Sequence, residues 1–232
     1  ENRTLGTPLA LLVRNRDAQS ADYEELKDKY RPGHADFVYD AKYGFRDWRG
    51  GGRASARETV ARVAAGVVAK KLLSTLGVEI SGRLAQVGET TSSENFASVI
   101  EAAREAGDSL GGIVEVTARN IPAGLGEPVF SKLSASLVAA LVSIPAVKGF
   151  EIGDGFACVT KHGSENNDEF ELREGKIRTK TNHDGGITGG ISNGEEIVVR
   201  IALKPTSSIS KEQKTVDKNN EETTMQIKGR HD

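Results

Sequence analysis

One of the four histidines, His34, lies in a segment whose neighbours suit proton transfer to an anionic ligand. The segment reads Arg31-Pro32-Gly33-His34-Ala35-Asp36. Because imidazole titrates near neutral pH, His34 could protonate an anionic group in that position. A solvated loop histidine would give the same pattern, and a lone histidine more often has no catalytic role. The histidines show no paired zinc-motif spacing, so we expect no metal site.

A second candidate is the segment Lys204-Pro205-Thr206-Ser207-Ser208, which directly follows an apolar strand pattern. It offers one cation, three hydroxyls and several backbone donors, a set that suits a phosphate or the polar edge of a flavin. A simple Ser/Thr-rich turn would have the same composition. The residues alone leave both interpretations open.

A third candidate is Arg53-Ala54-Ser55, which follows Gly50, Gly51 and Gly52 and precedes a helix pattern. Backbone amides at a helix N-terminus, together with a guanidinium, can bind an anion. The alternative is that Ser55 only caps the helix, since Ser55-Ala56-Arg57-Glu58 has the form of a capping box.

Five glycines lie between Gly185 and Gly194, just before a strand pattern. In dinucleotide and phosphate loops the glycines follow a strand and open a helix, so this order does not fit those sites. A tight turn with a bulge and a close approach of the backbone to a ligand remain equal alternatives.

The composition favours a globular protein of the cytosol. The 232 residues carry 31 Lys and Arg against 33 Asp and Glu, and the net charge of -2 gives no general attraction to nucleic acid or membrane. The single cysteine, Cys158, fits a reducing compartment. No apolar run approaches the roughly 18 residues of a membrane helix. Because the chain starts at Glu1 and stops within a polar cluster, we expect a piece of a longer protein, with residues 1–232 forming one domain.

Helix and strand patterns alternate along the chain. We predict strands at residues 9–13, 78–87, 113–118, 148–152 and 197–203, a polar β-excursion over 161–184 and a ragged hairpin over 211–232. Residues 15–30 are predicted as a loop that can include a helical turn, and residues 31–48 show no clear period. We predict helices after Ser55, after a second capping box at residues 91–94, and around Phe130 to Leu141. The class is α+β, and the broad apolar helix faces favour a layered β-α-β sandwich with helices packed between antiparallel sheets.

The residues of these segments and their order along the chain resemble the chorismate synthase family over nearly the whole sequence. The stretches that carry the resemblance are residues 5–8 with 12–15, 30–36, 43–47, 49–59, 107–112, 126–129, 146–155, 182–194, 203–209 and 229–232. The family's N-terminal segment, with its first catalytic histidine and its phosphate-binding arginines, and its C-terminal helices are not in this sequence.

The resemblance implies a lyase that performs the anti 1,4-elimination of phosphate from 5-enolpyruvylshikimate-3-phosphate to give chorismate. The reaction requires reduced FMN (FMNH2) without net oxidation. It also implies a homotetramer in the cytoplasm, with a flavin reductase or NADPH as electron source and no nucleic acid or membrane partner. A non-catalytic flavin-binding or assembly core of that enzyme is the alternative, and a general sugar-phosphate enzyme is a more distant one.

The resemblance also implies roles for individual residues. His34 is expected to act as a general acid toward the flavin or the leaving group, and Asp232 to assist proton removal. Arg31 and Arg53 are expected to bind the anionic groups of the substrate. The positions expected to line the flavin are Arg53, Ala54, Ser55, Pro145, Ala146, Gly189, Lys204, Pro205, Thr206, Ser207, Ser208 and Arg230.

Overall fold

The computed structural model describes residues 4–16, 20–49 and 55–227, and its main element is a four-stranded antiparallel sheet. The strands in chain order are β1 (Glu79–Val87), β2 (Gly112–Arg119), β3 (Val147–Ile152), β4 (Phe170–Arg173), β5 (Lys176–Thr179), β6 (Ile187–Thr188), β7 (Ile191–Ser192), β8 (Ile197–Leu203), β9 (Gln213–Val216) and β10 (Glu222–Met225). The sheet has the order β1-β2-β8-β3, and the other strands form three two-stranded ribbons.

The helices lie between these strands in the chain. They are α1 (Asp36–Tyr43), α2 (Thr59–Ser74), α3 (Phe96–Glu105), α4 (Leu133–Val142) and α5 (Gly163–Asn166), with 3-10 turns at Ser20–Leu26, Ala56–Glu58, Ser93–Asn95 and Gly155–Thr160. This mixture of helices and antiparallel strands confirms the predicted α+β class. The described residues contain no helix that is both long and apolar enough to span a bilayer.

The main core lies between the sheet and α4. The strictly alternating pattern of β8 buries Ile197, Val199 and Ile201 on one face, as predicted. Leu133, Leu137 and Leu141 of α4, at helical spacing, pack against the cluster of Ile187, Ile197 and Val199, together with apolar residues of β2 and β3. Burial of this shared apolar surface holds the helix on the sheet.

The opposite face of the sheet carries charges in one row across all four strands. Arg83 pairs in register with Glu115, Glu115 with Arg200, and Arg200 with Glu151. Two of these three neighbouring pairs form ion pairs: Arg83 with Glu115 at 2.7 Å, and Arg200 with Glu151 at 3.1 Å. Opposite charges that alternate across neighbouring strands stabilise this register.

A second small core ties the early part of the chain to its end. Leu26 packs with Met225 and Ile227. The backbone nitrogen of Tyr30 donates to the carbonyl of Val216 at 3.2 Å. These contacts fix the start of the histidine-bearing segment against the β9–β10 hairpin.

Several predictions of local structure are wrong. Residues 9–13 form no strand, and Leu12 is 78% exposed. Residues 31–48, for which the sequence showed no clear period, contain α1. Phe130 lies before α4 rather than in it, and is exposed. The other predicted strands and helices are present, although the second predicted capping box makes no side-chain cap at Ser92.

Candidate functional site

At one end of the main sheet, the ends of all four strands lie side by side. Val87 pairs with Gly112, Gly112 with Leu203, and Leu203 with Val147. β8 runs into the Lys204 segment, and β3 begins just after Pro145 and Ala146. Both of these groups of candidate residues therefore lie at this end of the sheet. We call it the Leu203 end of the sheet.

The Lys204–Ser208 segment binds the histidine-bearing loop through one carbonyl. Lys204 Nζ and Ser207 Oγ both donate to the carbonyl oxygen of Gly33, the latter at 2.8 Å. Lys204 Nζ also donates to Ser207 Oγ at 2.8 Å. Two of the three Lys204 N–H groups are therefore used within the described chain. These bonds bring together two segments that are 171 positions apart.

Ala146 and Gly111 fix the same segment from the sheet side. The backbone nitrogen of Lys204 donates to the carbonyl of Ala146 at 3.0 Å. Ala146 has a φ of 69°, a left-handed conformation that is unfavourable for a residue with a Cβ. A Cβ on Gly111 would lie 2.6 Å from the carbonyl oxygen of Leu203, so only glycine fits there. Pro145 and Ala146 thus lie beside the Lys204 segment.

His34 lies within hydrogen-bond distance of a buried carboxylate two residues later. Its Nδ1 lies 2.9 Å from Oδ1 of Asp36, whose side chain is 4% exposed. Arg31 donates to both oxygens of the same carboxylate, from Nε at 2.8 Å and Nη2 at 2.9 Å. Arg31 is therefore largely committed to Asp36.

The pKa of Asp36 reflects two opposed effects. Burial raises the pKa of this carboxyl, but hydrogen bonds from Arg31 and His34 outweigh that cost and hold the pKa well below its usual range. Asp36 is therefore an anion throughout the neutral range.

Arg46 completes this network, and sequence reasoning assigned it no role. Its Nη1 lies 2.7 Å from Oδ1 of Asp36, and its side chain is 3% exposed. Its Nη2 donates to the carbonyls of Leu26, Lys27 and Lys29 at 2.9, 3.1 and 2.7 Å. The sequence contained no local signal for this, because the partners belong to another segment.

Ser55 caps the 3-10 turn Ala56–Glu58, which leads into α2, and the start of α2 lies near the Leu203 end. Its hydroxyl accepts a hydrogen bond from the backbone nitrogen of Arg57 at 3.3 Å, so the capping interpretation is confirmed. Arg62 of α2 donates to the hydroxyl of Ser143, just before Pro145 and Ala146. Glu58, the predicted second half of the capping box, pairs with Arg62 at 2.9 Å.

Gly189 lies at the opposite end of the sheet from the other candidates. The carbonyl of its neighbour Gly190 accepts from the backbone nitrogen of Leu133 at the start of α4, while the C-terminal end of α4 leads to Ala146. Ten helical residues span about 15 Å. Gly185 and Gly186 are buried against other backbone atoms, whereas Gly189 lies on an exposed turn, where an added Cβ would have no atom within 4 Å.

Some predicted site residues fall outside the described residues. These are Arg53, Ala54, Arg230 and Asp232. Among the residues that are described, no group of three or more His, Cys, Asp or Glu side chains could hold a metal ion. A second polar cluster joins Asp154, Lys161 and His183, where Asp154 lies 2.8 Å from the imidazole. Its hydrogen bond with Lys161 lowers the pKa of Asp154.

Comparisons with known proteins agree with one another. The family model described as chorismate synthase matches residues 1–232. The chorismate synthase of Rippkaea orientalis is 53% identical over 258 residues, and the alignment covers 100% of this chain and 71% of that protein. The chorismate synthase of Chloroflexus aurantiacus is 53% identical over 253 residues, with 100% and 70% covered. A crystal structure of a chorismate synthase superposes with a TM-score of 0.70 at 36% identity, covering 75% of this chain and 63% of that one.

Proposed function

Because this chain belongs to the chorismate synthase family, we propose that it catalyses the anti 1,4-elimination of phosphate from 5-enolpyruvylshikimate-3-phosphate, with reduced FMN as the required cofactor. The products are chorismate and phosphate, and the reaction involves no net oxidation. The family is one of lyases that serve aromatic amino acid biosynthesis.

The observation that carries the proposal is the junction at Gly33. Lys204 and Ser207 both donate to the Gly33 carbonyl, so the Lys204–Ser208 segment lies directly beside His34. A cation and hydroxyls next to an acid–base residue suit a ligand that bears phosphate and exchanges a proton. This donor set also fits the phosphate or the polar ring edge of a flavin.

Three other residues that the family resemblance assigns to the flavin lie at the same end of the sheet. They are Ser55 at the N-terminus of α2 and the Pro145–Ala146 pair beside Lys204. We propose that these residues and the Lys204–Ser208 segment hold the cofactor. The same proposal extends to Arg53, Ala54 and Arg230, which lie outside the described residues. Gly189, at the opposite end of the sheet, is not part of this group within one chain.

Reduced FMN, when bound, would donate an electron transiently as the allylic phosphate leaves and would receive it back, so that no net oxidation occurs. The chain's own groups do the rest. The remaining N–H groups of Arg31, with Arg53, bind the anionic groups of the substrate. His34 acts as a general acid toward the flavin or the departing phosphate, and Asp232 assists removal of the ring proton.

Anaerobic turnover tests this function. The chain is mixed with 5-enolpyruvylshikimate-3-phosphate and chemically reduced FMN, and chorismate and phosphate are measured together. We expect equal amounts of the two products, and none with oxidised FMN. Reduced FMN that binds without any turnover would favour the alternative, a non-catalytic flavin-binding or assembly core. No flavin binding and no phosphate release would contradict both.

A lysine variant tests whether the Lys204 segment holds the cofactor. Lys204→Met should raise the flavin Kd by at least about 10-fold, because a hydrogen bond from a charged donor contributes about 1.5–3 kcal/mol. Lys176→Met on the distant β4–β5 hairpin is the matched control and should leave the Kd unchanged. Equal affinities for the two variants would contradict the assignment.

We propose in addition that the protein works as a homotetramer in the cytoplasm, with a flavin reductase or NADPH as electron source. Exposed apolar side chains on α2 support subunit contact, including Val63 at 66% exposure and Leu72 at 67%. Light scattering that gave a monomer mass at micromolar concentration would contradict the tetramer.

A further inference from the structure

Asp36, the carboxylate beside His34, is more deeply buried than His34 and has more hydrogen-bond partners. Asp36 is 4% exposed, whereas the His34 side chain is 19% exposed. Oδ2 of Asp36 accepts from the backbone nitrogen of Arg31 at 3.1 Å and from its Nε at 2.8 Å. Oδ1 faces His34 Nδ1, Arg31 Nη2 and Arg46 Nη1. A carboxylate with these partners is ionised and can only accept hydrogen bonds.

An acceptor-only carboxylate decides which ring nitrogen of His34 carries the proton. If Nδ1 were bare, it could accept from Arg31 Nη2 at 3.0 Å, but its lone pair would also face an Asp36 oxygen at 2.9 Å, and that contact would be repulsive. If Nδ1 carries the proton, it donates to Asp36 Oδ1. Arg31 Nη2, which lies 3.0 Å from Nδ1, then donates to the same oxygen at 2.9 Å. Because the second arrangement places an N–H group rather than a lone pair against the buried carboxylate, the geometry favours a proton on Nδ1 of the neutral ring.

Arg46 holds the carboxylate from a direction that His34 does not occupy. Its guanidinium is anchored by three backbone carbonyls and lies 5.5 Å from the centre of the Tyr30 ring. It also lies 3.4 Å from Asp40, on the same helix as Asp36. Asp36 therefore cannot rotate away from His34 without breaking a buried ion pair.

We propose that Asp36 is a positioning residue that fixes His34 in its Nδ1–H tautomer, so that Nε2 is the nitrogen through which His34 exchanges protons. Both ring contacts of His34 within the described part of the chain involve Nδ1, which leaves Nε2 for a ligand. This inference rests on the proposed function for its catalytic meaning, but not for its geometry. The charged groups around His34 are Arg31, Asp36, Arg46 and, through Gly33, Lys204.

Nitrogen NMR of the histidine rings tests the tautomer without substrate or cofactor. The chain is labelled with nitrogen-15 histidine, and His34 is assigned from the signals that disappear in His34→Gln. In mildly alkaline solution we expect Nδ1 to give the signature of a protonated nitrogen and Nε2 that of a bare one. Because this readout needs no turnover, an inactive protein would not affect it. A predominant Nε2–H tautomer in the unmodified chain would overturn the proposal.

Asp36→Asn should shift His34 toward a mixture of tautomers, because an amide can present either an oxygen or an N–H group to Nδ1. Asp36→Glu keeps a carboxylate and should retain the Nδ1–H form. Asp40→Asn is the matched control, since Asp40 contacts Arg46 but not His34, and should leave the tautomer unchanged. An Asp36→Asn spectrum identical to the control would also overturn the proposal. If Asp36→Asn does not fold, the spectrum of the unmodified chain still decides.

Turnover gives a second readout that a purely structural role would not produce. In the active protein, Asp36→Asn should lower kcat by about 100-fold with a small change in KM, the lower range for loss of a general acid. Asp36→Glu should recover part of that loss. A folded Asp36→Asn variant with unchanged kcat would contradict the positioning role.

Discussion

Replacing Arg46 by methionine removes the charge at the centre of the Asp36 network while keeping an unbranched apolar side chain. Arg46 is 3% exposed, pairs with Asp36 at 2.7 Å and donates to three backbone carbonyls. Breaking a buried pair by removing one partner costs about 3–5 kcal/mol, because the other charge remains buried. We therefore expect Arg46→Met to lower the free energy of unfolding by about 3–5 kcal/mol.

Urea unfolding measures this loss with two probes. Far-ultraviolet circular dichroism follows the whole chain, and fluorescence of the single tryptophan, Trp48, reports two residues from the substitution. For a chain of this size each kcal/mol lowers Tm by about 2–4 °C, so the thermal midpoint should fall by about 6–20 °C.

Arg49→Met is the matched control. Arg49 also pairs with a carboxylate, Asp47 at 2.9 Å, but its side chain is 62% exposed. Surface pairs of this kind contribute little, so the control should unfold like the unmodified chain. Loss of a surface ion pair lowers the free energy of unfolding by less than about 1 kcal/mol. A loss this small in Arg46→Met would contradict the claim that the buried network stabilises the fold.

Two further predictions concern Asp36 in the histidine-bearing segment and Gly111 beside the Lys204–Ser208 segment. Because hydrogen bonds hold the pKa of Asp36 below its usual range, its contribution to stability is complete above the ordinary carboxyl pKa of about 3.9 and is lost as the pH falls further. Acid unfolding should therefore depend less steeply on pH in Asp36→Asn, and an unchanged slope would contradict the assignment. Gly111→Ala places a Cβ 2.6 Å from the Leu203 carbonyl and should displace the Lys204–Ser208 segment, at a cost of about 1–3 kcal/mol measured by urea unfolding. Gly163→Ala, where nothing lies within 4 Å, is its control, and equal stabilities would show that the contact is not restrictive.

The strands that sequence reasoning found are those whose side-chain pattern carries the information locally. Ile197, Val199 and Ile201 alternate with more polar positions, and all three are buried. Residues 9–13 are equally apolar but form no strand in the described chain. A strand requires a hydrogen-bonding partner, and an apolar composition alone does not specify one.

The sequence did not predict α1 because this helix buries a charged residue and exposes apolar ones. Its buried residue is the charged Asp36, while Phe37 and Val38 are more than half exposed. A search for apolar periodicity cannot find a helix that buries a carboxylate. The carboxylate is buried because Arg31 and Arg46 neutralise it.

The site itself was only partly predictable. Arg31, His34 and Asp36 are close in sequence, so their association could be proposed directly from the residues. Arg46 binds carbonyls about 20 positions away, and Lys204 reaches Gly33 across 171 positions. Such contacts depend on the fold, which is why only the family resemblance suggested that the Lys204 and His34 segments act together.

The most direct test of the central claim is to map where reduced FMN binds. Amide signals of the nitrogen-15-labelled chain are followed by NMR during an anaerobic titration with reduced FMN. We predict the largest changes at Gly33, Ala146 and Ser207, at the Leu203 end of the sheet, and none in the β4–β5 hairpin. Saturable binding that left those three amides unchanged would contradict the placement of the cofactor beside His34.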